Sequence, residues 1–201
     1  MESQYIGGRS NTDGGGMPEK EVRVANRRRV GSCESLVRVL AVLLTLAAAI
    51  VQGLNKQTKV APIKVVPTLP AIYIPLTAKW QDLSAFAYLL VANVIASVYA
   101  AFSLVLSFAN RGTKKSSLGL FIIVLDILIV GVLFSAIGAA VAIGLIGYHG
   151  NSHVQWNKVC NVFDRFCHQV IASVVLTQFA ALAFIFLVVL AILRLNRGPL
   201  K

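Results

Sequence analysis

An aspartate breaks the apolar stretch IIVLDILIV, residues 122–130. A carboxylate in such surroundings can pair with a cation, take up a proton, or line a wet path for protons or ions. Left alone near the middle of a bilayer it costs about 2.5–3.5 kcal/mol. Asp126 therefore needs a partner, and Arg38, inside SLVRVLAVLL, lies in a similar setting. The planar guanidinium matches a carboxylate well, so Arg38 and Asp126 are read as a structural intramembrane pair. Two other readings stand beside it. In one, Asp126 serves a proton or ion relay in a small channel or transport-associated subunit, but the apolar runs hold no further ionisable groups in line with it. In the other, Arg38 snorkels to the headgroups and Asp126 stays protonated.

The second chemical cluster is NSHVQWNKVCNVFDRFCHQ, residues 151–169. Cys160 and Cys167 are expected to close a disulfide if this segment faces an oxidising compartment, a bond contributing about 2–3 kcal/mol for so small a loop. His149, His153 and His168 lie close in sequence, which leaves zinc as the alternative, although the His/Cys spacing matches no familiar finger. Cys33 stands apart, just before the first apolar run, where it reads as a palmitoylation site or a plain thiol. Searches for catalysis return nothing: no glycine-rich phosphate loop, metalloprotease helix or serine-nucleophile turn. The expectation is a protein with no enzymatic activity, no cofactor and no metal.

These residues must be positioned by membrane helices. Of the 201 residues, 57% are hydrophobic and only 13% charged, where a soluble domain carries about a quarter. The mean hydropathy is +0.74. Four runs are long enough to cross a hydrocarbon core, which takes about 20 helical residues: residues 35–54, 83–109, 118–146 and 170–195. Single segments satisfy their backbone in lipid only as helices. The fold class is therefore an all-α membrane protein, a four-transmembrane-helix bundle over residues 35–195. Residues 1–34 read as a disordered tail and 196–201 as a short one. The loops are 55–82, 110–117 and 147–169. The first contains Pro62, Pro67, Pro70 and Pro75, which argues for an extended or irregular connector.

Basic residues concentrate in the first tail (Arg27, Arg28, Arg29), the middle loop (Arg111, Lys114, Lys115) and the end (Arg194, Arg197, Lys201). The positive-inside rule then puts both termini in the cytoplasm and loops 55–82 and 147–169 outside. It also accounts for the net charge of +11, so no nucleic-acid partner is expected. In the third run Gly131, Ser135, Gly138 and Ala142 recur every three or four residues, and Ala140 and Gly144 make a second small pair. Such stripes let helices approach closely in lipid, either inside the bundle or between protomers.

The stretch GNSHVQWNKVCNVFDRFC, residues 150–167, resembles a pattern of the Casparian strip membrane domain protein-like (CASP-like) family. The matching positions are Gly150, Asn151, Ser152, Trp156, Cys160, Phe163, Phe166 and Cys167. Arg38 and Asp126 fall where that family carries an arginine and an aspartate. The resemblance covers about residues 33–197 and points to the first subfamily. It implies a MARVEL-related four-helix protein of the plant plasma membrane. Such a protein would form homodimers or higher homo-oligomers, hetero-oligomers with relatives, and contacts with membrane lipids. It would act as a scaffold organising a membrane domain, with secreted cell-wall enzymes as further partners. The first outer loop, KQTKVAPIKVVPTLPAIYIPLTAKWQDLS, lacks the E-S-L-P-F-F-T-Q-F signature of the Casparian strip formers themselves.

Overall fold

A computed structural model of the protein describes residues 19–63, 72–109, 116–150, 159–161 and 163–196. Four long helices dominate: α1 Glu19–Gly53, α2 Ser84–Ala109, α3 Ser116–His149 and α4 Asp164–Asn196. Each contains a segment long and apolar enough to cross a membrane, at Gly31–Gly53, Ser84–Ala109, Gly119–His149 and Asp164–Arg194. α1 packs on α2 and α4, and α3 packs on the same two helices, while α2 and α4 barely touch. The four helices thus form a ring.

A strict spacing builds the ring. Residues 38, 41, 45, 48 and 52 of α1 are buried, as are 89, 93, 96, 100 and 103 of α2. In α3 they are 126, 129, 133, 136 and 140, and in α4 they are 166, 170, 173, 177, 180, 184 and 187. Steps of three and four alternate throughout, the seam of left-handed bundle packing. Alanine fills many seam positions, including Ala41, Ala48, Ala96, Ala100, Ala136 and Ala140, all with no exposed surface. With no hydrophobic drive between helices in lipid, small side chains permit the close approach on which dispersion depends. The polarity is inverted relative to a soluble bundle. Leu43, Phe102, Leu128 and Phe179 face outward, whereas Arg38, Gln52, Asn93, Asp126, Ser173 and Thr177 are buried.

Two segments depart from the sequence reading. Helix α1 begins at Glu19, inside the segment expected to be a disordered tail. Residues 19–30 hold no glycine or proline, Pro18 directly precedes them, and Glu19 and Glu21 stand in the first turn. All of these favour a helix start there. The 55–82 segment, expected to be extended or irregular, is extended in both its strands, and what differs is their pairing into an antiparallel hairpin of β1 Lys56–Ile63 and β2 Ile72–Lys79.

The register explains how proline is tolerated. Val60 opposes Pro75 and Pro62 opposes Tyr73. These pairs share one parity with Thr58–Thr77, whose hydroxyls lie 3.1 Å apart, as suits the closer, non-hydrogen-bonded type of pair. Each proline nitrogen therefore points away from the partner strand, where the ladder needs no donor.

Candidate functional site

The charged site is assembled at the end of the bundle where α1 and α3 enter the membrane and α2 and α4 leave it. Arg38 and Asp126 occupy seam positions of α1 and α3, with 1% and 0% of their surface exposed. The structure brings them together: Arg38 Nη2 donates to Asp126 Oδ2 at 3.2 Å. Arg38 Nη1 donates to Ser103 Oγ of α2 at 2.7 Å. Tyr99, one turn earlier on α2, donates its hydroxyl to Asp126 Oδ1 at 2.7 Å and lies 3.0 Å from the Ile122 carbonyl. Glu34 stands one turn before Arg38, its Oε1 3.5 Å from Arg38 Nη2. Glu34 Oε2 accepts from Arg194 Nη1 of α4 at 3.1 Å.

The network therefore touches all four helices, and two cations balance two anions. This balance is what makes it tolerable in a low dielectric, where an unpaired ion costs several kcal/mol. The geometry can lock register and helix order. Each carboxylate oxygen of Asp126 accepts from a protein donor, at 3.2 Å from Arg38 and 2.7 Å from Tyr99. Sequence reading missed Tyr99 and Ser103. Their signal was present: two polar residues four apart on one face of an otherwise apolar run.

A second buried polar tier crosses the bundle nearer its other end. Ser173 Oγ of α4 donates to Gln52 Oε1 at 2.8 Å, and Asn93 Nδ2 donates to Thr177 Oγ1 at 2.9 Å. Asn55 Nδ2, just past α1, donates to the Phe166 carbonyl at 3.1 Å, while the Phe166 amide donates to Gln57 Oε1 at 2.8 Å. Trp80 Nε1 donates to the Gly53 carbonyl at 2.9 Å. These bonds fasten the hairpin base to the ends of α1 and α4.

Cys160 and Cys167 form a disulfide with Cα atoms 5.7 Å apart, so neither is a free thiolate for zinc. Phe163 and Phe166 are buried beside it, and Phe166 packs on Phe86 with ring centroids 5.9 Å apart. Gly150 follows α3 with φ 73° and donates its amide to the Ile146 carbonyl, a left-handed helix end that favours glycine. Asn151, Ser152, His153 and Trp156 lie outside the described residues. Cys33 is a half-buried free cysteine. Gly131, Ser135, Gly138 and Ala142 are all exposed, on a face turned away from the bundle. They make no packing seam within the bundle; Ala140, of the second small pair, does.

The profile of the Casparian strip membrane protein domain matches residues 27–186. The chain belongs to the CASP-like membrane protein family. CASP-like protein 1E1 of Vitis vinifera is 51% identical over 201 residues, covering 98% of both chains. CASP-like protein 1E1 of Populus trichocarpa is 51% identical over 197 residues, again 98% of each. CASP-like protein 1E2 of Arabidopsis thaliana is 46% identical over 188 residues, covering 94% of this chain and 97% of that one. The resemblance to the first CASP-like subfamily thus extends over nearly the whole chain. No solved structure matches it.

Proposed function

We propose that this CASP-like protein is a non-enzymatic plasma-membrane scaffold that self-associates and organises a membrane domain, with both termini in the cytoplasm. The observation that carries the reading is the closed charge network. Both oxygens of Asp126 accept from donors on other helices, Arg38 and Tyr99, which suits a rigid building block better than a proton path. The outward stripe of Gly131, Ser135, Gly138 and Ala142 supports assembly. A Cβ added at Gly131 or Gly138 would meet no atom within 4 Å, so the stripe is open to a neighbouring protomer or a relative. Guidance of secreted cell-wall enzymes by the outer loops belongs to the same reading.

Photobleaching of the tagged protein in plant epidermal cells tests it. Wild type is expected to recover slowly in discrete patches. Gly138→Leu, which disturbs nothing inside the protomer, is expected to recover fast and evenly. Fast, even recovery of the wild type would overturn the scaffold reading and favour the channel-subunit alternative.

A further inference from the structure

Three amides of the second polar tier are fully buried, and each keeps one atom unpaired: Gln52 Nε2, Asn93 Oδ1 and Asn55 Oδ1. Among the described residues the fourth such atom, Arg38 Nε, belongs to the charged network. Buried polar atoms in folded proteins nearly always have a partner, because a bare one has given up water for nothing. Backbone carbonyls fix which atoms of the asparagines are free. Asn93 Nδ2 donates to the Leu89 carbonyl at 2.8 Å and Asn55 Nδ2 to the Phe166 carbonyl at 3.1 Å, so the nitrogens are engaged and the oxygens are not.

The three atoms also lie close together. Gln52 and Asn93 bond to Ser173 and Thr177 of α4, positions four apart on one helix face and so about 5–6 Å from each other. Asn55 follows Gln52 by three residues. Gln52 thus stands between the two asparagines. α1 runs antiparallel to α4, which puts Thr177 and Asn93 at the level of Ala48, fully buried and with only a methyl group to occupy the interior.

Chemistry narrows the occupant. Gln52 Nε2 carries two protons, and the asparagines present two oxygens. A cation would meet the amide donor, and an anion would meet the oxygens. A neutral molecule that both accepts and donates a hydrogen bond suits all three. Size limits it to water, since two bonds of about 2.8 Å through one oxygen span at most about 5.6 Å.

We propose that this tier binds ordered water inside the bundle, bridging Gln52 Nε2 to Asn93 Oδ1 and to Asn55 Oδ1. The bridge joins α1 to α2, which in this tier are otherwise hydrogen-bonded only through α4. Turning the Gln52 amide over would exchange its free donor for a free acceptor, which water donating to the oxygens satisfies as well. The inference requires only the folded bundle, and it stands whether or not the protein assembles into patches.

The test is water-edited solid-state NMR of the isotope-labelled full-length protein in vesicles of deuterated phospholipid. At short mixing times, magnetisation from water protons is expected to reach the side-chain amides of Gln52 and Asn93. It should not reach Leu133 or Phe184, equally buried but nearer the charged network. Gln52→Met keeps the length of the side chain and removes its donor, so transfer to Asn93 should be lost. No transfer to Gln52 and Asn93 in the wild type overturns the proposal, as does transfer to Asn93 that Gln52→Met leaves unchanged. Transfer to Leu133 and Phe184 as well would mean a wet interior along the axis; that result also overturns the proposal and favours the channel-subunit reading. Should Gln52→Met lose its folded elution profile, the wild-type comparison decides.

Discussion

Replacing Arg38 by methionine should damage the protein more than replacing Arg38 and Asp126 together. In the single variant Arg38→Met, Asp126 keeps only the Tyr99 hydroxyl at 2.7 Å and has no route to water. An ion stranded in this way costs about 3–5 kcal/mol. Asp126→Leu is milder, about 3 kcal/mol or less, because Arg38 retains Ser103 at 2.7 Å and Glu34 at 3.5 Å. The double variant removes both charges and leaves every neighbour a partner. Tyr99 keeps the Ile122 carbonyl, Ser103 keeps the Ala100 carbonyl and Glu34 keeps Arg194. Replacing a buried ion pair by apolar groups of similar volume is often nearly neutral. The double variant should therefore be several kcal/mol more stable than additivity predicts, with a cost of about 1–2 kcal/mol. For a chain of this size 1 kcal/mol moves the thermal midpoint by about 2–4 °C. Arg38→Met should fall by about 6–20 °C in detergent micelles, and the double variant by about 2–8 °C, the smaller fall of the two at any one slope. A double variant no better than the sum of its singles would refute the idea that the two charges hold each other.

Two further outcomes are expected. Reduction, or Cys167→Ser, should lower stability by about 2.5 kcal/mol, the entropy of opening a loop of seven or eight residues; this is read as a dithiothreitol-dependent fall in thermal midpoint, and an unchanged midpoint would count against it. Trp80→Phe should cost about 1 kcal/mol by leaving the Gly53 carbonyl without its 2.9 Å donor, and faster hydrogen exchange in β1 and β2 than in the helices checks that the hairpin base has loosened.

The spans were legible because lipid demands long apolar helices, and hydropathy reads that demand directly. The Arg38–Asp126 contact was legible for a related reason: a charge in an apolar run is costly enough to imply a partner. Tyr99, Ser103 and the tier of Gln52, Asn93, Ser173 and Thr177 were harder to read. Neutral polar residues are tolerated in spans, so each alone raises no alarm; only their recurrence at seam positions betrays them. The hairpin escaped because proline reads locally as a breaker. Whether its missing donor matters depends on which strand edge it faces, and that is set by a partner on the far side of residues 64–71. The extended start of α1 escaped because polar composition suggested a tail, although its local propensity is helical.

The balanced charges of the network have an electrical consequence. A membrane potential does work only on charge that moves along the field, about 2.3 kcal/mol for one elementary charge crossing 100 mV. Here the embedded cation and anion are bound at 3.2 Å, and the flanking pair at 3.1 Å. Glu34 and Arg38 both ride on α1, so any shift of α1 against its neighbours carries opposite charges together, and the field's pull on one cancels its pull on the other. The bundle should keep its shape while the voltage across it swings.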